Sequence, residues 1–160
     1  MTIQVGDRLP AATFMTPTAE GPAPKTTDDV FAGKTVAVLA LPGAFTPTCS
    51  AKHLPGFKQH AADLKAKGID TIVCISVNDV FVMKAWAKDQ GITDEVTMLA
   101  DGNGEFSKAI GLDFDASKFG MGRRSQRYAL VARDGVVTQL YVEEPGKFEV
   151  SSAEYMLERL

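Results

Sequence analysis

Val36-Ala37-Val38-Leu39-Ala40-Leu41-Pro42-Gly43-Ala44-Phe45-Thr46-Pro47-Thr48-Cys49 is the stretch on which the fold turns. Its opening residues form a continuous apolar run, the pattern of a strand covered on both faces. Pro42 and Gly43 stop that strand, and a helix starts soon after. With Thr46 as N-cap and Pro47 in the first helical position, where a missing N–H does no harm, Cys49 stands third in the first turn. Apolar residues at helical spacing continue through Leu54, Phe57, Ala61 and Leu64. Pro55 predicts a kink near the second turn.

Outward from this core the pattern repeats. Residues 71–77 (Thr-Ile-Val-Cys-Ile-Ser-Val) form a second apolar strand, and Asn78 or Asp79 caps a helix carrying Val82, Trp86 and Ala87. A strand–helix–strand crossover of this length implies parallel pairing. Residues 96–100 predict a third strand, ending at Asp101-Gly102-Asn103-Gly104, with a short helix around residues 106–110. Residues 128–132 and 136–142 flank Arg133-Asp134-Gly135, a hairpin signal because Asp-Gly suits left-handed turn positions. Ser151-Ser152-Ala153-Glu154 has capping-box spacing and opens a last helix. Residues 1–35, rich in Pro, Thr and Gly, read as loops and short extended pieces. The order is that of an α/β, thioredoxin-like fold, a central mixed β-sheet flanked by helices, in one domain over residues 1–160.

Composition narrows the class. The 160 residues are 45% hydrophobic and 23% charged, the balance of a globular domain large enough to hold its core without disulfides or metal. Two cysteines are too few for a disulfide scaffold, and point to a reducing compartment, expected to be the cytoplasm. A net charge of −3 gives no basic field for nucleic acid. No cationic start leads into an apolar run, so no secretory signal is expected, and no stretch approaches the roughly 20 apolar residues of a membrane span.

Cys49 is the candidate for chemistry, the alternative being a small apolar residue packed in a first turn. The positive end of a helix favours a thiolate over a thiol, and thiolates are the reactive form. Thioredoxin-fold reductases place C-x-x-C at this junction, but here Thr46 stands in the first cysteine's place. Dithiol exchange within one motif is thereby disfavoured. A hydroxyl three residues before the sulfur suits donation to the sulfur or to an arriving oxygen, which favours a small oxygen-containing substrate.

Together with His53-Leu54-Pro55-Gly56-Phe57, Ser76-Val77-Asn78-Asp79, Leu99-Ala100-Asp101 and Arg123-Arg124-Ser125-Gln126-Arg127-Tyr128, the stretch Pro42 to Cys49 resembles the peroxiredoxins, and among them the peroxiredoxin-5 and plant type II group. The resemblance runs from about Val5 to Leu160, and its P-x-x-x-T-x-x-C core is highly specific. It implies a thiol peroxidase acting on hydrogen peroxide and small organic hydroperoxides with no bound cofactor or metal. In it Cys49 is the peroxidatic cysteine, which becomes a sulfenic acid and is returned to the thiol by another thiol. Thr46 matches the threonine that bonds thiolate and peroxide, Pro42 the proline that shields the sulfur, and Arg127 the arginine aimed at it. Some relatives carry a resolving cysteine near the C-terminus, where this chain has Val150-Ser151-Ser152. An external reductant is implied instead: glutathione, glutaredoxin or thioredoxin. A homodimer is implied too, with Phe45 and Phe81 as contact candidates.

A different class of function would make the chain a non-catalytic redox-signalling or chaperone-like binding protein. Selective oxidation of Cys49 by mild peroxide, read by peptide mass mapping, separates the two. Cys74 reads as a core residue, since buried free cysteine behaves as a small hydrophobe. A resolving role would need Cα atoms within about 7 Å and a partly unwound first turn. Arg123 and Arg124 read as surface or supporting residues. His53 suits either the site or a partner surface, and His53 and His60 lack the companions of a metal site. The Asp101 loop lacks the glycine and glutamate of a calcium loop, with Phe106 and Leu112 in their places, and Ser107 breaks a dinucleotide fingerprint.

Overall fold

The computed structural model describes residues 2–160. The elements in chain order are strands β1 (Thr13–Thr18) and β2 (Gly21–Thr26), helix α1 (Thr27–Phe31), strand β3 (Thr35–Leu41), a π-wound turn (Cys49–His53), and helices α2 (Leu54–Gln59) and α3 (Ala61–Ala66). Then come β4 (Thr71–Ser76), α4 (Val80–Asp89), β5 (Thr97–Ala100), α5 (Glu105–Ala109), β6 (Asp113–Asp115), β7 (Arg123–Ser125), β8 (Tyr128–Arg133), β9 (Val136–Val142) and α6 (Ala153–Leu157). Seven strands form one sheet in the order β2-β1-β5-β4-β3-β8-β9. β3, β4 and β5 pair in parallel, and β8 pairs antiparallel to both β3 and β9, so the sheet is mixed as expected.

β3 lies near the middle of this sheet and divides the core. Ala37, Leu39 and Leu41 join Cys49, Leu54, Phe57, Cys74 and Trp86 in one apolar cluster, while Val36, Val38 and Ala40 join Phe14, Ile75, Phe106 and Leu130 in the other. The two-residue period of a strand sends alternate side chains to opposite faces, so a run apolar at every position must be covered on both. Each fully buried Leu, Ile or Phe contributes about 1.5–3 kcal/mol. The Asp134-Gly135 turn closes β8 onto β9 with both residues at positive φ, 50° and 79°. Asp79 caps α4 by accepting the Val82 N–H at 2.9 Å.

Three local expectations need correction. Within the segment read as loops and short extended pieces, residues 13–26 pair as a hairpin and residues 27–31 form a helix. Pro22 and Pro24 lie in β2, which is the sheet's edge, where a missing N–H breaks no ladder bond. The helix is not kinked at Pro55 itself. Pro55 cannot donate to the carbonyl four residues back and its ring presses on that carbonyl, and the preceding turn widens, with the Leu54 N–H bonding the Cys49 carbonyl. The actual break falls at His60, between α2 and α3. Finally, the cap of α6 is Ser152, accepting from the Tyr155 N–H at 3.1 Å, because the Ser151 hydroxyl is engaged by Glu143. The β6–β7 ladder, between Ile110 and Tyr128, had no signature in the sequence.

Candidate active site

The loop between β3 and the helix is held by its neighbours. The Ala44 N–H donates to Asn78 Oδ1 at 2.9 Å, and Phe45 adopts a left-handed φ of 64°, a costly conformation for an aromatic residue. Half-buried Pro42 opens the loop, and its carbonyl accepts from Arg124 Nη1 at 3.4 Å. A Cβ on Gly43 would stand 2.9 Å from that same guanidinium nitrogen, so a larger residue there would displace the tip of the Arg124 side chain. Helical winding starts at Pro47, as the sequence predicts, and Cys49 follows two residues later at the head of the π-wound turn.

Cys49 is wholly buried. Arg127, immediately before β8, donates from Nη2 to Cys49 Sγ at 3.1 Å, across 78 residues of sequence. Its other terminal nitrogen, Nη1, lies 2.9 Å from His53 Nδ1, and His53 Nε2 lies 2.9 Å from the Ser151 carbonyl. A guanidinium only donates and a carbonyl only accepts. His53 is therefore neutral, with its proton on Nε2 and a lone pair on Nδ1 facing Arg127. Burial first, and then the Arg127 charge, push its pKa down to about 3, against the Ser151 bond that favours the charged ring. Phe57 and Phe148 pack the imidazole at ring-centroid distances of 5.7 and 5.2 Å, and Phe148 also lies 5.9 Å from the Arg127 guanidinium carbon.

The structure brings Cys49 and Arg127 together but directs Thr46 elsewhere. The sequence reading had the Thr46 hydroxyl donating to the sulfur or an arriving oxygen. Its proton is instead committed to the Gly43 carbonyl at 2.7 Å, which leaves the hydroxyl oxygen able to accept. Of the two environments open to His53, the structure selects the site. A histidine one turn after the cysteine was the available signal, but its orientation depends on the π winding and on partners distant in sequence.

None of the other candidates hydrogen-bonds the sulfur among the described residues. Cys74 is buried in the same apolar cluster as Cys49, and burial, with the nearby Cys49 behind it, pushes its thiol well above the ordinary range. Arg123 pairs with Asp113 at 2.9 Å near the surface. His60 bonds Asp63 and Glu154 at 3.2 and 2.9 Å. The Asp101 carboxylate accepts from the Phe106 and Ser107 N–H groups and the Ser107 hydroxyl, so it caps α5. Among the described residues, no group of three or more His, Cys, Asp or Glu side chains is placed to hold a metal ion, and no helix is long and apolar enough to cross a membrane.

The chain is also similar to known proteins along nearly its whole length. The Redoxin family model matches residues 4–157. Peroxiredoxin-2E, chloroplastic, of Arabidopsis thaliana is 52% identical over 163 residues, covering 99% of this chain and 70% of that protein. The crystal structure of reduced Prx3 from Vibrio vulnificus in complex with hydrogen peroxide superposes with a TM-score of 0.95 at 51% identity, covering 99% of each chain. Peroxiredoxin 5 of Alvinella pompejana superposes with a TM-score of 0.85 at 33% identity, again over 99% of each.

Proposed function

Because the chain belongs to the peroxiredoxins, in the group of peroxiredoxin 5 and the plant type II proteins, and so is a thiol-dependent peroxidase, we propose that Cys49 is the sulfur that reduces the peroxide. The observation that carries this reading is the Arg127 guanidinium 3.1 Å from Sγ of the wholly buried Cys49 at the head of a helix. The Cys49 thiolate attacks the terminal oxygen of R–O–O–H. An S–O bond forms, the O–O bond breaks, and the electron pair leaves on RO⁻, which takes a proton from solvent to give water or an alcohol. Cys49 is left as sulfenic acid, having lost two electrons. An external thiol then condenses with it, releasing water and forming a mixed disulfide. A second thiol restores Cys49 and departs in an ordinary disulfide.

Negative charge moves from sulfur to the leaving oxygen during the attack, so a fixed donor beside the sulfur serves both ends of the step. Arg127 is that donor. Thr46, with its proton on the Gly43 carbonyl, accepts the peroxide O–H and orients the O–O bond toward the sulfur. Pro42 shields the pocket. We take the reductant to be glutathione or glutaredoxin and the working form to be a homodimer joined around Phe45 and Phe81, which are 51% and 69% exposed. The compartment we take to be the cytoplasm. Steady-state peroxide consumption with glutathione, glutaredoxin and thioredoxin systems, in the parent and in Cys74→Ser, tests the reductant. Dimedone trapping after one equivalent of peroxide tests the intermediate, with the adduct expected on Cys49. An adduct on neither cysteine, with no peroxide consumed under any reductant, refutes the reading. Sedimentation velocity tests the dimer.

A further inference from the structure

Glu143, immediately after β9, is 6% exposed and belongs to none of the reacting groups. Its Oε2 nevertheless accepts four hydrogen bonds: the Glu149, Val150 and Ser151 N–H groups at 2.7, 2.8 and 2.8 Å, and the Ser151 hydroxyl at 2.7 Å. Three successive backbone N–H groups around one oxygen form an anion-binding nest, occupied here by the protein's own carboxylate. The clamp closes residues 143–151 into a loop whose Phe148 lies against His53 and the Arg127 guanidinium.

Followed further, these bonds return to their start. The Glu143 N–H donates to the Arg127 carbonyl at 3.0 Å. The Glu143 carboxylate holds Ser151, whose carbonyl accepts from His53 Nε2 at 2.9 Å, and His53 Nδ1 receives Arg127 Nη1 at 2.9 Å. Arg127 is thus fixed at its backbone and at its side chain by one closed circuit, with Nη2 left over for Cys49. We propose that Glu143 is a positioning residue for peroxide reduction: its carboxylate clamps the 149–151 turn, which holds His53 neutral and oriented and so aims Arg127 at the Cys49 sulfur.

The neutral state of His53 is the step on which this depends, because a protonated imidazole has no lone pair for Arg127. The charged and titratable groups around the ring are Arg127 on the Nδ1 side, Cys49 beyond it, and Glu143 behind Ser151; Phe57 and Phe148 supply the apolar walls. Burial raises the Glu143 carboxyl, and the hydrogen bonds led by the Ser151 hydroxyl outweigh it, so the group stays below the usual carboxylate range and remains an anion throughout the neutral region. Without the clamp the turn detaches, water reaches the ring, and His53 titrates near its ordinary value of about 6.5.

The inference rests on Cys49 as the reacting sulfur, so the test has one arm that reads turnover and one that does not. Stopped-flow peroxide reduction is measured from pH 5.5 to 7.5 in the parent, Glu143→Ala, Glu143→Gln and Glu144→Gln, the last replacing the exposed neighbour outside the clamp. Imidazole ¹⁵N spectra follow His53 over the same range. In Glu143→Ala we expect at least a tenfold slower rate at pH 7.5, about a further tenfold loss by pH 5.5, and a His53 signal that titrates near 6.5. The parent and Glu144→Gln should show an Nε2–H tautomer that does not titrate. Glu143→Gln keeps the shape but loses the charge, and should fall between them, deciding the matter if the alanine variant does not fold. A rate within threefold of the parent, or a slower rate with His53 still untitrated, overturns the role. A parent without peroxidase activity refutes Cys49 as the reacting sulfur instead, and the spectra then still report whether Glu143 holds the circuit.

Discussion

Replacing Arg127 by alanine separates two ways in which a cation can help a cysteine. If the guanidinium only ionised the sulfur, its removal at pH 7 would be bounded: an ordinary cysteine with pKa near 8.5 is roughly 3% thiolate there, so full ionisation gains at most about thirtyfold, or ~2 kcal/mol. If it also follows charge from sulfur to oxygen, the loss is larger. At the observed 3.1 Å separation, and an effective dielectric of about 20, a unit charge pair is worth roughly 5 kcal/mol as a ceiling. Removal of one such donor from a charge-stabilising site typically costs about 10²–10³ in rate. We therefore expect Arg127→Ala to slow peroxide reduction by about 10²–10³. Trp86, the single tryptophan, provides the signal, because its indole N–H bonds the Ser50 hydroxyl at 3.0 Å, one residue beyond Cys49. Stopped-flow fluorescence at pH 7 gives the total loss. Repeating it at alkaline pH, where an ordinary thiol ionises unaided, removes the first contribution and should still leave tenfold or more. Deleting Arg127 also leaves buried His53 Nδ1 without its donor, which costs about 1–3 kcal/mol, so urea unfolding must show the variant folded. A rate within thirtyfold of the parent at pH 7 would sink the assigned role.

The remaining predictions use the same measurements. Thr46→Val keeps the shape but removes the hydroxyl that bonds Gly43, and should slow peroxide reduction about 10–100-fold, the worth of a hydrogen bond made to the reacting group, while Thr46→Ser stays within about threefold. His53 is held neutral down to about pH 3, whereas the unfolded chain binds its proton near 6.5, so this group's contribution is fully present above 6.5 and is lost as pH falls. Stability should decline by up to roughly 1.4 kcal/mol per pH unit below 6.5. Urea unfolding between pH 7 and 5 isolates this from Glu143, whose contribution is lost only as pH falls below the ordinary carboxylate range, and a flat profile refutes it. Asp79→Ala removes the cap of α4 and should cost about 1 kcal/mol in urea while leaving the peroxide rate within threefold of the parent.

What the sequence discloses, and where it falls silent, follows the range of the interactions. The β3 run, the cap of α4 and the Asp134-Gly135 turn are set by residues within a few positions of one another; the strand and turn are found as read, and of Asn78 and Asp79 it is Asp79 that caps. Cys49 at a helix start is equally local, since Pro47 and the stop at Pro42-Gly43 lie in the same stretch. The β1–β2 hairpin was missed for a different reason: its prolines argue against a strand unless that strand is an edge, and edge position is a property of the whole sheet.

The site is harder to read for the same cause, made stronger by charge. Arg127 reaches Cys49 across 78 positions and His53 across 74, while His53 reaches Ser151 across 98, so no spacing in the chain announces them. Arg127 was visible only through a family resemblance, and Glu143, one of two adjacent acids in a polar segment, looks like a solvated loop residue. Folding reverses that reading by supplying four donors to one buried oxygen. A carboxylate is buried at low cost only when it is hydrogen-bonded, and a guanidinium is held in place beside a buried sulfur when a second of its nitrogens has an acceptor, as Nη1 of Arg127 has in His53. The two requirements meet in His53, which can accept from Arg127 only while neutral. The reactivity assigned to Cys49 therefore depends on an imidazole that makes no hydrogen bond to the sulfur and on a carboxylate further along the same circuit.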